Sequence, residues 1–273
     1  MSLFYYINRR NRVANNYLIG KNLSYSYPDG SIGIKNVDVC FERGERIAIL
    51  GANGSGKSTL LMVLGGLLSP DEGEVIFKGE SDLDKKRSEI GVFVQDPDDF
   101  LFNPTVEKEL RYETNQLDEK FDDRFNKYVE KLSLNNYLDK PPFRLSEGEK
   151  KRVMLASLLI PNPSLFLLDE AFSSLDPFYK EKFIKLLNEQ NDLEKTIISA
   201  TQNLSLVPRI ADKVILLGKN GELIKSGEVR EILYNTNLLK KNNLEAPQVV
   251  RIAKEVGVGK EKPVSVEELI ELI

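Results

Sequence analysis

The chain alternates between short apolar runs and longer stretches in which apolar residues recur at helical spacing. Helices are predicted from Lys57 to about Leu67, from Ser146 to about Ile160 and over Pro177–Asn188, with helical spacing also between Thr105 and about Leu138. Because strands alternate with helices, the pattern favours a parallel α/β sheet with a helical insertion. The apolar runs predict strands at Tyr17–Ser24, Ile34–Phe41, Arg46–Leu50, Glu74–Phe77, Ile90–Val94, Leu165–Leu168, Thr196–Ala200, Lys213–Leu217 and Leu223–Lys225.

The two ends of the chain differ from its middle. Residues 1–16 are polar and rich in Asn and Arg, which predicts a loosely docked N-terminal extension. Residues 237–273 carry two short amphipathic patterns, which predict a C-terminal helical appendage. The main domain is therefore predicted over residues 17–236, with its helical subdomain at about residues 100–160.

Composition excludes several classes of chemistry. Among 273 residues there is one cysteine, Cys40, and no histidine. This removes internal disulfides, Ser-His-Asp and Cys-His hydrolases and histidine-ligated zinc. The net charge of −4 gives no general attraction to nucleic acid. The longest apolar stretch, Leu60–Leu68, is far shorter than the roughly 20 residues that span a bilayer, and the N-terminus lacks a signal-peptide core. We therefore expect a soluble cytoplasmic protein.

A phosphate-binding loop is the clearest chemical motif. The eight residues from Gly51 to Ser58 read GANGSGKS and match G-x-x-x-x-G-K-[ST] between an apolar strand and an apolar helix. Such a loop turns several N–H groups and a helix N-terminus toward one anion. The expected contacts of a nucleoside triphosphate are Asn53, Gly54, Ser55, Gly56, Lys57, Ser58 and Thr59, with Lys57 on the β- and γ-phosphates and Ser58 on Mg²⁺.

Two acids follow the predicted strand Leu165–Leu168. Asp169 at the end of a buried strand can hold Mg²⁺ opposite Ser58, and Glu170 can orient or deprotonate the attacking water. Taken alone, the same pair could simply favour the dipole of a following helix. Beside a phosphate loop, the catalytic interpretation is the stronger one.

The residues Leu145–Arg152, LSEGEKKR, resemble the signature of ABC ATPases, usually written LSGGQ. Ser173–Asp176 resembles the D-loop of that family, and Gln95 its Q-loop glutamine, a metal ligand with a catalytic role. Tyr27 stands where relatives stack a ring on adenine, with Tyr25 as the second candidate and packing on the core as the alternative role. The resemblance implies a P-loop NTPase of the α/β class with a mixed sheet core, an antiparallel β edge subdomain and a helical signature subdomain. It also implies that Ser146, Gly148, Glu149 and Asp176 contact a nucleotide bound by another subunit.

A finer resemblance concerns transport. The segment Gln95–Phe102 is similar to one in energy-coupling-factor and cobalt-type importer ATPases, as are Tyr27–Gly30 and Leu244–Arg251. It implies ATP and Mg²⁺ as cofactors, and as partners a second ABC ATPase subunit, a transmembrane coupling protein and a substrate-binding membrane component. The chain would lie on the inner face of the cell membrane and import vitamins or transition-metal ions. Phe100–Phe102 would line the groove for the coupling protein or belong to the subdomain core.

Departures from the family pattern leave alternatives open. Gln202 stands where relatives carry a histidine, and an amide can contact a γ-phosphate but cannot carry charge, so we hypothesise slow or asymmetric hydrolysis. Glu147 replaces a signature glycine and could face toward or away from the nucleotide, and Ala171 replaces a frequent proline. Two other functions are a nucleotide-dependent scaffold with little hydrolysis and a non-transport ABC ATPase. Homodimer and heterodimer both stay open, with Gln202 favouring a different partner chain.

Overall fold

The computed structural model describes residues 16–112 and 119–273. The predicted N-terminal extension, except for Asn16, lies outside the described residues. The strands are β1 (Asn16–Ser26), β2 (Ile32–Glu42), β3 (Arg46–Leu50), β4 (Glu72–Phe77), β5 (Ile90–Phe93), β6 (Leu165–Asp169), β7 (Thr196–Ala200), β8 (Lys213–Leu217) and β9 (Leu223–Glu228). The α-helices are α1 (Lys57–Leu64), α2 (Val106–Leu110), α3 (Phe121–Lys131), α4 (Glu147–Leu159), α5 (Pro177–Asn191), α6 (Val207–Ile210), α7 (Val229–Tyr234), α8 (Thr236–Lys241), α9 (Gln248–Glu255) and α10 (Val266–Ile270).

These strands form two sheets. The smaller is antiparallel in the order β2-β1-β4, and the larger has the order β5-β6-β7-β3-β8-β9. Five strands of the larger sheet are parallel, as the alternation of strands and helices predicts. Strand β9 pairs antiparallel with β8, because a short turn through Gly221 (φ 72°) joins them and a tight turn can only reverse the chain. The sheet is therefore mixed, and the fold class implied by the family resemblance is confirmed.

The strand order fixes where chemistry can occur. Strands β6, β7 and β3 are neighbours and parallel, so their carboxyl ends meet at one edge. The phosphate loop follows β3, Asp169 ends β6, and Gln202 lies two residues beyond β7. An open parallel sheet binds ligands at this edge.

Two apolar layers cover the larger sheet, and β3 shows the division. Ile47 and Ile49 face the antiparallel sheet and α1, whereas Ala48 and Leu50 face the cluster that includes α4 and α5. All four are at most 1% exposed. Val250 of α9 joins the second cluster, so the C-terminal helices pack on the main core. The domain boundaries near residues 17, 100, 160 and 237 stay predictions.

Several helices differ in extent from the sequence prediction. Helix α1 ends at Leu64 rather than near Leu67, because two glycines follow and Gly66 takes φ 71°, where helical hydrogen bonding stops. The helical spacing of residues 105–138 corresponds to two separate helices, α2 and α3. The sequence analysis missed α6, α7 and α8, which have four to six residues each and are too short to show a period. Within residues 16–112 and 119–273, no helix combines the length and apolar character needed to cross a bilayer.

Candidate functional site

The phosphate loop connects β3 to α1 in a tight turn beside β2. Gly56 has φ 85°, and a Cβ atom there would lie 2.0 Å from the Gly33 carbonyl oxygen, so only glycine fits. Lys57 opens α1, and its Nζ donates to the carbonyl oxygens of Gly51 (3.0 Å) and Ala52 (3.1 Å). Burial lowers the pKa of Lys57, while the carboxylates of Glu170 and Asp169 raise it. The loop therefore holds its ammonium directly beside the two predicted acids.

A cavity of about 390 Å³ opens over this loop. Tyr27 lies in its wall, 37% exposed, and its hydroxyl shares a 2.8 Å hydrogen bond with Thr59 Oγ1. Tyr25 meets Tyr27 edge-on at 5.2 Å and packs on the core, so of the two tyrosines Tyr27 is the one available to a ligand. The lining consists of Tyr27, Ser31, Ile32, Gly33, Asn53, Gly54, Ser55, Gly56, Lys57, Ser58, Thr59, Gln95, Glu170 and Gln202.

Asp169 lies below this cavity at the end of β6. It is 4% exposed, and within the described residues neither carboxylate oxygen has a hydrogen-bond partner of normal geometry. Burial raises the pKa of Asp169, and the Ser58 hydroxyl and Lys57 lower it. A buried carboxylate without a partner is costly, and hard divalent cations bind such oxygens. The described residues hold no group of three or more His, Cys, Asp or Glu side chains that could bind a metal ion.

Glu170 follows in an unusual backbone conformation. Its φ is 44°, the left-handed region that non-glycine residues seldom occupy. The Ser173 N–H (3.0 Å) and Oγ (2.7 Å) both donate to the Glu170 carbonyl oxygen and close this turn. Thr201 Oγ1 donates to Glu170 Oε2 (3.4 Å). Burial raises the pKa of Glu170, Lys57 lowers it and Asp169 raises it, which moves a carboxyl group toward the range useful to a general base.

A second cavity of about 420 Å³ shares Gln95, Glu170 and Gln202 with the first. These three predicted residues therefore lie between the phosphate loop and a further opening. Thr201 lines the second cavity and holds Glu170, and the sequence analysis did not select it. Its only signal in the sequence is its place between β7 and Gln202.

The signature residues lie elsewhere. Ser146 caps α4: its Oγ accepts from Glu149 N–H (3.4 Å), while Glu149 Oε2 accepts from the Ser146 N–H (2.7 Å) and Oγ (2.9 Å). Asp176 caps α5 by accepting from Tyr179 N–H (2.9 Å). Ser146 and Asp176 are exposed, Gly148 and Glu149 are half-buried, and none of the four lines the phosphate-loop cavity. The chain thus brings together the first set of predicted contacts and leaves the second set outside.

The structure shows the positions of Glu147 and of the segment Phe100–Phe102, for each of which the sequence left two roles open. Glu147 extends along α4, with Oε1 at 4.0 Å from Lys151 Nζ. Phe100 and Leu101 pack against the helical cluster, whereas Phe102 is 67% exposed and meets Tyr112 edge-on at 4.9 Å. Of the three residues proposed for the coupling groove, only Phe102 is therefore fully available at the surface.

The fold and the loop define a P-loop nucleoside triphosphatase. Residues 34–173 match the family described as ABC transporter. A putative ABC transporter ATP-binding protein of Archaeoglobus fulgidus is 43% identical over 228 residues, covering 81% of this chain and 94% of the relative. The energy-coupling factor transporter ATP-binding protein EcfA of Methanococcus maripaludis is 40% identical over 241 residues, covering 85% of this chain and 86% of the relative. The chain belongs to the ABC transporter family of ATP-binding proteins.

Solved structures agree with this assignment. CbiO1 of Clostridium perfringens, part of the ABC transporter complex cbiONQ, superposes with a TM-score of 0.69 at 33% identity, over 88% of this chain and 99% of that one. A dimeric ATP-binding cassette in a post-hydrolysis state with ADP and Pi gives 0.68 at 28% identity, over 78% and 98%. The resemblance to energy-coupling-factor and cobalt-type ATPases is confirmed, and family membership supports ATP binding and hydrolysis.

Proposed function

We propose that this chain hydrolyses ATP to energise a membrane importer of the energy-coupling-factor type for vitamins or transition-metal ions. The main support from the structure is the convergence of Lys57, Asp169 and Glu170 on one edge of the sheet, with Asp169 buried and unpartnered in the described part. The names of the archaeal relatives support the transport assignment. Hydrolysis of a triphosphate needs positive charge at the phosphates and carboxylates nearby. At this edge Lys57 provides the positive charge, and Asp169 and Glu170 provide the carboxylates.

Each side chain at this edge has a separate proposed role. The loop N–H groups and Lys57 bind the β- and γ-phosphates, and the Tyr27 ring supports adenine. Ser58, Asp169 and Gln95 would hold Mg²⁺, which supplies charge neutralisation at the phosphates. Asn53, Gly54, Ser55, Gly56 and Thr59 complete the contacts of the nucleotide.

Glu170 is proposed to take the proton of the attacking water. Its raised pKa and its fixed turn place a carboxylate of suitable basicity beside Lys57. Thr201 orients this carboxylate. The Gln202 amide donates to the γ-phosphate but cannot become charged, so turnover at this site is slow.

The signature requires a second subunit. The exposed Ser146, the nearby Gly148 and the N-terminus of α4 present a hydroxyl and N–H groups to an anion that this chain's own loop cannot bring to them. Glu149 holds Ser146 in place, and Asp176 shapes the adjoining loop. A second ABC ATPase chain, the same or different, would bring its ATP to this surface, as the dimeric relative with ADP and Pi suggests. Hydrolysis then removes the link between the subunits and opens the dimer.

The membrane partners are proposed to bind near Phe102. Phe102 ends the segment Gln95–Phe102, and together with Tyr112 it forms an exposed aromatic surface. Such a surface is suited to binding a helix of a transmembrane coupling protein. A separate membrane component would capture the substrate, and the chain itself would stay on the inner face of the membrane. No nucleic acid is involved.

The test is phosphate release by the purified chain, alone and with membrane proteins that co-purify with it. A transport motor should show ATP hydrolysis that rises several-fold with the partners. Phe102→Ala should abolish the stimulation, whereas Leu193→Ala, a similarly exposed apolar residue on another surface, should not. Hydrolysis that is absent in both conditions would overturn the proposal and favour a binding-only scaffold, the second candidate suggested by Gln202.

A further inference from the structure

Lys151 is a buried cation of the signature segment Leu145–Arg152, and the sequence analysis gives it no role of its own. It lies in the second turn of α4 and is only 1% exposed. Its nearest ion-pair partner among the described residues is Glu147, whose Oε1 lies at 4.0 Å, the outer limit of an ion pair. Burying an ammonium costs several kcal/mol unless it is well paired, so an apolar residue would be the stabilising choice here. The position therefore calls for a reason other than stability.

The Nζ atom makes its close contacts to one residue of another loop. It donates to the Ser173 carbonyl oxygen (2.8 Å) and to Ser173 Oγ (2.7 Å). Ser173 in turn donates twice to the Glu170 carbonyl oxygen. A continuous set of short hydrogen bonds thus runs from α4 to the turn that carries Glu170.

That turn needs external support. Glu170 and Ser174 both have positive φ, 44° and 58°, a strained backbone region that non-glycine residues seldom occupy. The hydrogen bonds through Ser173 hold the strained turn together. The direction of the Glu170 carboxylate follows from its backbone, so a shift at Ser173 changes the position of the acid.

Ser146 caps the N-terminus of the same helix, just over one turn before Lys151. The two residues are five positions apart, about 7.5 Å along the axis, so a movement of the N-terminal turns of α4 would carry both. Under the proposed function, Ser146 contacts the ATP of the neighbouring subunit, whereas Glu170 acts on the ATP of its own chain. One ammonium therefore joins two residues that act on different nucleotides.

We propose that Lys151 is a positioning residue that couples the two ATP sites, by transmitting engagement of the signature helix to the Glu170 turn through Ser173. This inference rests on the proposed function. When no ATP of the neighbouring subunit contacts Ser146, α4 holds the Glu170 turn in a position that is unsuited to catalysis. Contact with that ATP moves α4, and Lys151 transmits the movement to the turn, which brings the Glu170 carboxylate into its catalytic position. Hydrolysis at each site then depends on occupancy of the other.

The experiment compares Lys151→Met with Lys185→Met in the full chain with its co-purified partners. Met preserves volume and apolar packing, and Lys185 is an exposed lysine of α5 that gives the same change in charge. Lys151→Met should lower kcat by 10- to 100-fold and reduce the Hill coefficient for ATP toward one, with nucleotide affinity of the isolated chain within about twofold of wild type, on the scale of other positioning effects. Lys185→Met should leave all three quantities unchanged.

Ser173→Ala provides an independent variant, because it removes the hydroxyl links and keeps the carbonyl contact. It should produce a smaller fall in kcat, and the double variant should be no worse than Lys151→Met alone, as expected for residues acting in one network. A Hill coefficient unchanged from wild type in Lys151→Met would overturn the inference. So would a parallel loss of nucleotide affinity and melting temperature, which indicates a merely structural role. If the wild type itself hydrolyses nothing, the proposed function fails instead.

Discussion

The phosphate loop and the signature helix are both anion sites at helix N-termini, yet only one is enclosed by this chain. Lys57 is 6% exposed, contacts its own loop and lines the same cavity as Glu170. Ser146 is exposed at the surface, and its hydrogen bonds are satisfied by Glu149 of the same helix. Under the proposed function, a single chain completes one half of the nucleotide site and exposes the other half for a neighbour.

The N-termini of α1 and α4 have the same local chemistry but different surroundings. At α1 the ends of β6 and β7 place Glu170 and Gln202 in the wall of the same cavity as the helix terminus. Ser146 at the start of α4 is exposed and lines neither of the two cavities described above, so a ligand there would have to come from outside. Loss of a residue from the enclosed half should abolish binding and chemistry together, whereas loss from the exposed half should affect only the assembled state.

Lys57→Met is expected to have the largest overall effect, because it lowers nucleotide binding as well as the rate of hydrolysis. It removes the charge that binds the β- and γ-phosphates, and loss of a single donor to a transition-state oxyanion costs about 10²–10³ in rate. ATP affinity of the isolated chain should fall together with hydrolysis, measured by calorimetry and phosphate release. Lys185→Met, at an exposed position of α5, is the matched control. Binding that survives intact would show that the loop alone, without its ammonium, holds the triphosphate.

Glu170→Gln should separate binding from chemistry within the enclosed half. Loss of a general base costs about 10²–10⁴ in rate, while the uncharged amide preserves volume. ATP should still bind, and a nucleotide-dependent dimer should persist because its ATP is not consumed. Size-exclusion chromatography with light scattering would detect it. If the variant hydrolyses within twofold of wild type, another residue acts as the base.

Ser146→Ala tests the exposed half. Hydrolysis by the assembled protein should fall about ten- to hundredfold through loss of one hydrogen bond to a charged group, worth about 1.5–3 kcal/mol, whereas ATP affinity of the isolated chain should stay the same. The helix also loses its cap, at about 1 kcal/mol of the free energy of unfolding.

Ser265→Ala supplies the matched control, because Ser265 caps α10 by accepting from the Glu268 N–H (3.2 Å). The two variants should lose similar stability in thermal unfolding, but only Ser146→Ala should lose hydrolysis. Equal activity in both would mean that the signature serine is only a cap.

The enclosed half was predictable from the sequence, and the reason is physical. Eight consecutive residues fix the geometry of the loop, and a buried strand ending in an acid fixes Asp169, so the pattern lies within short windows of the chain. The strands β3 and β7 match their predicted limits because buried strands read as uninterrupted apolar runs. The exposed half stays a prediction that was made only through resemblance to a family, since a capped serine alone predicts no ligand.

Contacts between distant residues were not predictable. Thr201 reaches Glu170 across a separation of 31 residues, and Lys151 reaches Ser173 across 22. No period or motif in the sequence encodes these contacts, because they depend on which strands become neighbours. The residue pattern alone did not indicate the direction of β9, and a mixed sheet was expected only through the family resemblance: alternation of strands and helices indicates parallel pairing, while a short turn reverses the chain.

Gln202→His should have the smallest effect on the rate, and its effect should be recognisable by its dependence on pH. Gln202 lines both cavities beside Glu170, where a histidine could carry a positive charge to the γ-phosphate. We expect kcat in the assembled complex to rise about three- to tenfold at pH 6, on the order of 1 kcal/mol for one charge-assisted hydrogen bond. The gain in kcat should disappear as the pH rises through the imidazole pKa of about 6.5. The wild type should show no such pH-dependent change, because Gln202 does not titrate. Asn203→His, one residue farther along in the second cavity, controls for a histidine that is merely nearby. Unchanged turnover at every pH would mean that hydrolysis in the enclosed half is limited by Glu170 and not by the missing histidine.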